Sequence, residues 1–111
     1  MTSRILVVDD DFSSLVILKG LLTSKGWIVE TCSDGESAMA RLQTTEFDVL
    51  LTDQIMPGIR GTQLIRIARE HSPRLRCVVL SGSAPSPEER GIPWVQKPID
   101  LPSILAAIAA A

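Results

Sequence analysis

Val49, Leu50 and Leu51 form a short apolar run that ends on Asp53, and Pro57-Gly58 forces a turn four residues beyond it. An apolar run bounded in this way reads as a strand buried on both faces, the kind that parallel sheets contain. Such a strand constrains the fold strongly, because it needs strands beside it and helices above and below. A carboxylate at the C-terminal end of a central strand also stands where open α/β sheets hold their ligands. Many strand-end aspartates only cap a turn, however, so the meaning of Asp53 depends on the other strand ends.

Those ends are found by following the chain. Arg4-Ile5-Leu6-Val7-Val8 is a first strand that stops at Asp9-Asp10-Asp11. Ser13 and Ser14 open a helix to about Lys25, which Gly26 ends. At 100° per residue, Ile17, Leu18, Leu21 and Leu22 share one arc and are expected to face the sheet. Phe12 and Val16 fall off that arc and Leu15 lies at its margin, so this helix has more apolar residues than one buried stripe can hide. Trp27–Cys32 reads as a second strand, with Glu30 favouring an edge position. Asp34-Gly35 turns into a helix marked by Ala38, Met39 and Leu42.

After the central strand, Gly61-Thr62 starts a helix packed through Leu64, Ile65 and Ala68, with His71 a solvated cap at its end. Arg76–Leu80 is strand four and leads to Ser81-Gly82. Trp94-Val95-Gln96 is a short fifth strand that ends at Lys97-Pro98. Asp100 caps a last helix with Pro102 in its first turn and a stripe of Leu101, Ile104, Leu105 and Ile108. Strands alternating with helices predict an α/β fold, a doubly wound five-stranded parallel sheet in flavodoxin-like order 2-1-3-4-5.

The connection between Ser81 and Lys97 breaks the pattern. It holds Pro85, Pro87 and Pro93 with Gly82 and Gly91, and Ser86-Pro87-Glu88-Glu89 reads as a capping box with proline at the first helical position. About one turn fits there, too short to be stable without packing.

Composition narrows the function. A chain of 111 residues is one domain, 1–111, with a single core. A net charge of −2 and no basic stripe argue against a nucleic-acid surface. No run approaches the ~20 apolar residues that span a bilayer, and no secretory leader is evident, since the first apolar stretch ends at two aspartates. Cys32 and Cys77 lack metal-ligand spacing and read as reduced thiols of a cytoplasmic protein that does not contact membrane.

In a parallel sheet the strand ends carrying Asp9, Asp10, Asp53, Ser81 and Lys97 lie along one edge. Strands one and three are neighbours at the switch point, so three carboxylates converge, which is costly unless a cation sits among them. Hard oxygen ligands without His or Cys point to Mg²⁺. A metal among carboxylates, with a hydroxyl and an ammonium opposite, suits phosphoryl transfer, and Asp53 is the candidate nucleophile.

These residues together resemble the receiver (phosphoacceptor) domain of two-component response regulators over essentially the whole chain. Val8-Asp9-Asp10 resembles the family's acidic pair. Asp53 with Met56-Pro57-Gly58 and Gly61 resembles its phosphoacceptor segment. Ser81-Gly82 is similar to its Ser/Thr followed by a small residue, and Lys97-Pro98 to its lysine and proline. The resemblance implies that Asp53 accepts phosphate from a phosphohistidine on a sensor histidine kinase or histidine phosphotransfer protein. It implies Mg²⁺ held by Asp10, Asp53 and the carbonyl of Ile55, with Asp9 acting through water, and a cis Lys97–Pro98 bond. It also implies that the first helix meets the donor, for which Phe12, Leu15 and Val16 are the expected surface. Where the family commonly has Tyr or Phe three residues before the lysine, this chain has Trp94. With the usual fourth helix shortened, the protein is expected to stay monomeric.

Three other readings stand beside this one. A phosphohydrolase of the haloacid dehalogenase type also uses an aspartyl phosphate but places a second Asp two residues on, where this chain has Ile55, which transfers no proton. A pseudo-receiver serving only as a docking module would not need the complete acidic and Ser/Lys set. A nucleotide-binding Rossmann module is weaker, since no G-x-G-x-x-G follows strand one.

Overall fold

The computed structural model describes residues 3–111. The elements run β1 (Arg4–Val8), α1 (Phe12–Ser24), β2 (Ile28–Cys32), α2 (Gly35–Thr44), β3 (Val49–Asp53), α3 (Gly61–His71), β4 (Arg76–Ser81), β5 (Trp94–Gln96) and α4 (Leu101–Ala110). The five strands form one parallel sheet in the order β2-β1-β3-β4-β5. Every residue of β3 is buried, the polar Thr52 and Asp53 along with the apolar run Val49–Leu51, whereas β2 at the edge is partly open.

Register divides the core into two halves. Leu51 pairs with Val7 and Val78, and these side chains point to the face covered by α1 and α4. Leu50 pairs with Leu6 and Cys77 and points to the opposite face, under α2 and α3. The strand period of two thus serves two helical layers at once. No described helix is long and apolar enough to cross a membrane.

Helix α1 departs from the sequence reading. It starts at Phe12, earlier than the serine pair, because Asp11 is the N-cap and accepts the Ser13 N–H at 3.1 Å. Its buried residues are Leu15, Leu18 and Leu22, at i, i+3 and i+7. Leu15 is therefore core, not surface, and Ile17, expected to face the sheet, is 61% exposed. Apolar residues all round the helix leave the wheel without a unique inner face. Packing on the sheet selects one rotated by roughly 60° from the expected arc, at 100° per residue. Gly26 closes the helix with φ of +93°, a conformation that suits glycine.

Between β4 and β5 the chain makes only a three-residue 3₁₀ turn, Pro87–Glu89, with no buried residue. The Ser86 N–H donates to Glu89 Oε1 at 2.8 Å, as the capping-box reading anticipated. The prolines and glycines leave no room for the packed helix that would otherwise cover this edge. Asp100 caps α4 through the Ser103 N–H at 2.8 Å. The Lys97–Pro98 bond is cis.

Candidate phosphoacceptor site

The C-terminal ends of β1 and β3 bring Asp9, Asp10 and Asp53 together, with one carboxylate oxygen from each lying within 4.8 Å of the others. Asp9 and Asp53 are buried and Asp10 is exposed. Lys97 enters from the end of β5 and bridges two of the acids, its Nζ donating to Asp53 Oδ2 at 3.3 Å and to Asp9 Oδ2 at 3.4 Å. Asp9 Oδ1 accepts the Asp11 N–H at 2.9 Å, which turns the chain into α1.

Electrostatics follow from this crowding. Burial and the charge of Asp53 push the Asp9 carboxyl above its usual range, against the lowering influence of the Asp11 N–H and Lys97. For Lys97, burial alone would lower the ammonium; the carboxylates of Asp53 and Asp9 outweigh it and hold the group above its usual value. One cation shared among three acids leaves an excess of negative charge. An all-carboxylate donor set open to solvent on the Asp10 side therefore has the chemistry of a hard divalent cation site.

Ser81 ends β4 and is buried, and its Oγ accepts the Ser83 N–H at 3.2 Å, which leaves the hydroxyl proton free to donate. Ser81 makes no hydrogen bond to the acids. Ile55 lies in the β3–α3 loop with its side chain 59% exposed. The loop returns tightly: the Gly61 N–H donates to the Gln54 carbonyl at 3.0 Å, and a Cβ on Gly61 would sit 2.2 Å from the Asp53 carbonyl oxygen. Only glycine permits this approach of α3 to the end of β3. Trp94 is half-buried against the α3 side of the core, and its Nε1 donates to the Ser83 carbonyl at 2.9 Å.

All the candidate residues thus lie along one sheet edge, with Asp9, Asp10 and Asp53 within reach of one another and Lys97 in contact with Asp9 and Asp53. Sequence reasoning missed Gln54 and Glu89, which join the site's flank through side-chain hydrogen bonds. A buried glutamine leaves no periodic signal in a sequence. The Glu89 half was visible only as a capping box.

Residues 5–109 match the family model of the response regulator receiver domain, and the chain belongs to that family of two-component signalling domains. It is 31% identical over 118 residues to the phosphate regulon transcriptional regulatory protein PhoB of Rhizobium meliloti, an alignment covering 99% of this chain and 52% of PhoB. The chain thus spans about half the length of that relative. It is 38% identical to the response regulator receiver protein CpdR of Brucella abortus, over 73% of this chain and 68% of CpdR. A CheY-like receiver domain protein from Methanospirillum hungatei superposes with a TM-score of 0.90 at 27% identity, covering 99% of this chain and 93% of the other.

Proposed function

We propose that the protein accepts a phosphoryl group on Asp53 from a phosphohistidine of a sensor histidine kinase or histidine phosphotransfer protein. The observation that carries this reading is the Lys97 bridge: a cation held against the buried Asp53 and Asp9 carboxylates at the end of the central strand. In the transfer, an Asp53 carboxylate oxygen forms the bond to phosphorus as the phosphorus–nitrogen bond of the donor breaks. The electron pair of that bond stays with the imidazole. Lys97 orients Asp53 beforehand and neutralises an equatorial phosphoryl oxygen, and the free Ser81 proton donates to another.

Asp10, Asp53 and the Ile55 carbonyl would hold Mg²⁺, with Asp9 acting through water, and the ion would supply further charge neutralisation at the phosphoryl oxygens. The domain is a signalling module that catalyses only its own phosphorylation and dephosphorylation. Mass spectrometry after incubation with acetyl phosphate tests the reading. A single phosphoryl adduct is expected with Mg²⁺ and none with excess EDTA; an adduct that forms equally well in EDTA would overturn the metal assignment.

The donor surface differs from the one the sequence suggested. Phe12, Val16 and Ile17 are the exposed apolar residues of α1, while Leu15 is in the core. Beside them a groove of about 250 Å³ runs between Ile17 and Leu21 on one side and Pro98 and Ile99 on the other, with Lys97 at its edge. An apolar patch next to the acidic site suits the helices of a phosphodonor. Val16→Asp is expected to weaken transfer from the cognate donor by tenfold or more, about 1.4 kcal/mol. The rate with acetyl phosphate should stay within about twofold. Equal loss with both donors would place the defect in folding instead.

A further inference from the structure

Gln54 directly follows Asp53, and its side chain is almost fully buried. A buried primary amide destabilises the fold unless its oxygen and protons find partners. Here Oε1 accepts the Thr62 N–H at 2.8 Å, while Nε2 donates to Thr62 Oγ1 at 3.2 Å and to Glu89 Oε2. The partners dictate the orientation of the amide. A backbone N–H only donates and a carboxylate only accepts, so a reversed amide would lose both bonds.

Gln54 also does the work of a cap for α3. The N-cap position is Arg60, whose guanidinium has no acceptor. The first two N–H groups of the helix, those of Gly61 and Thr62, go instead to the Gln54 carbonyl and to Gln54 Oε1.

Glu89 closes the other end. Its Oε1 accepts the Ser86 N–H and its Oε2 accepts the Gln54 amide. Hydrogen bonds from Ser86, aided by the nearby Arg60 and by Gln54, hold this carboxyl below its usual range, so it is ionised at neutral pH. The same stretch of chain carries the Ser81 hydroxyl, which receives the Ser83 N–H, while Trp94 fixes the Ser83 carbonyl. Since the Pro87–Glu89 turn has no buried residue, polar bonds rather than apolar packing tie that turn to the rest of the domain.

We propose that Gln54 and Glu89 form a clasp through which the β4–β5 segment and the β3–α3 junction hold one another in place. Glu89 is then a positioning residue for phosphoryl transfer, because the turn it anchors sets the backbone that orients Ser81 beside Asp53. This second half rests on the phosphoacceptor reading above; the clasp itself does not.

Amide hydrogen exchange and acetyl phosphate labelling of Glu89→Ala, Glu89→Gln and Glu88→Ala, in Mg²⁺, test both halves. Glu88 is an exposed acid on the same turn and serves as the charge control. Glu89→Ala is expected to speed exchange about tenfold at Ser86 and also at Thr62. Thr62 is the telling position, since its N–H bonds to Gln54 and a merely local role of Glu89 would leave it unmoved. Labelling should slow about three- to tenfold with unchanged Mg²⁺ affinity, and Glu88→Ala should stay within twofold on every readout. Glu89→Gln keeps one acceptor oxygen and should shift the same way by less, so it carries the test if the alanine variant fails to fold. Unchanged Thr62 exchange in a folded Glu89 variant would overturn the clasp. Faster exchange with an unchanged labelling rate would overturn the positioning role. A wild-type protein that takes no phosphate would instead count against the phosphoacceptor reading, with Thr62 exchange still deciding the clasp.

Discussion

Lys97→Ala is expected to slow phosphorylation by acetyl phosphate by roughly 10²–10³-fold, the usual cost of removing one preorganised group from a developing oxyanion. The same change should tighten Mg²⁺ binding severalfold. The two effects have opposite signs because the ammonium has two roles. In the proposed transfer it stabilises charge on the migrating group, and it already neutralises part of the Asp9 and Asp53 charge at 3.4 and 3.3 Å, which a divalent cation would otherwise see in full. Stopped-flow labelling together with Mg²⁺ titration separates them. A variant that loses metal affinity and rate together would mean that Lys97 builds the site rather than acting in it.

The second large effect concerns the orientation of α1. Leu15→Ala is expected to destabilise the domain by about 2–5 kcal/mol, as burial in a packed core implies, lowering Tm on the order of 10–20 °C. Ile17→Ala should stay within about 0.5 kcal/mol, because its side chain is 61% exposed. Urea unfolding of the two variants measures the difference. Equal losses would mean that the helix sits between the two orientations.

The contrast between Leu15 and Ile17 also shows where sequence reading reached its limit. The sheet was legible because its signals are local: β-branched runs, glycine and proline punctuation, and apolar stretches that end on Asp9, Asp53, Ser81 and Lys97. The short β4–β5 turn was legible for the same reason, since three prolines and two glycines exclude a longer helix whatever the surroundings. The buried face of α1 was not, because apolar residues point in every direction and only contact with the sheet selects among them. The convergence of the acids followed from strand order alone. The hydrogen bond of Gln54 to Glu89 did not, because it joins side chains 35 positions apart and no local pattern announces it.

The location of the phosphoryl group decides whether Asp53 is the acceptor. The wild-type protein and Asp53→Asn are incubated with acetyl phosphate and Mg²⁺, and the adduct is mapped by tandem mass spectrometry at low temperature. One phosphoryl group on Asp53 in the wild type, and none in Asp53→Asn, is the predicted result. An adduct on Asp9, Asp10 or any other side chain of the wild type, or full labelling of folded Asp53→Asn, would contradict it.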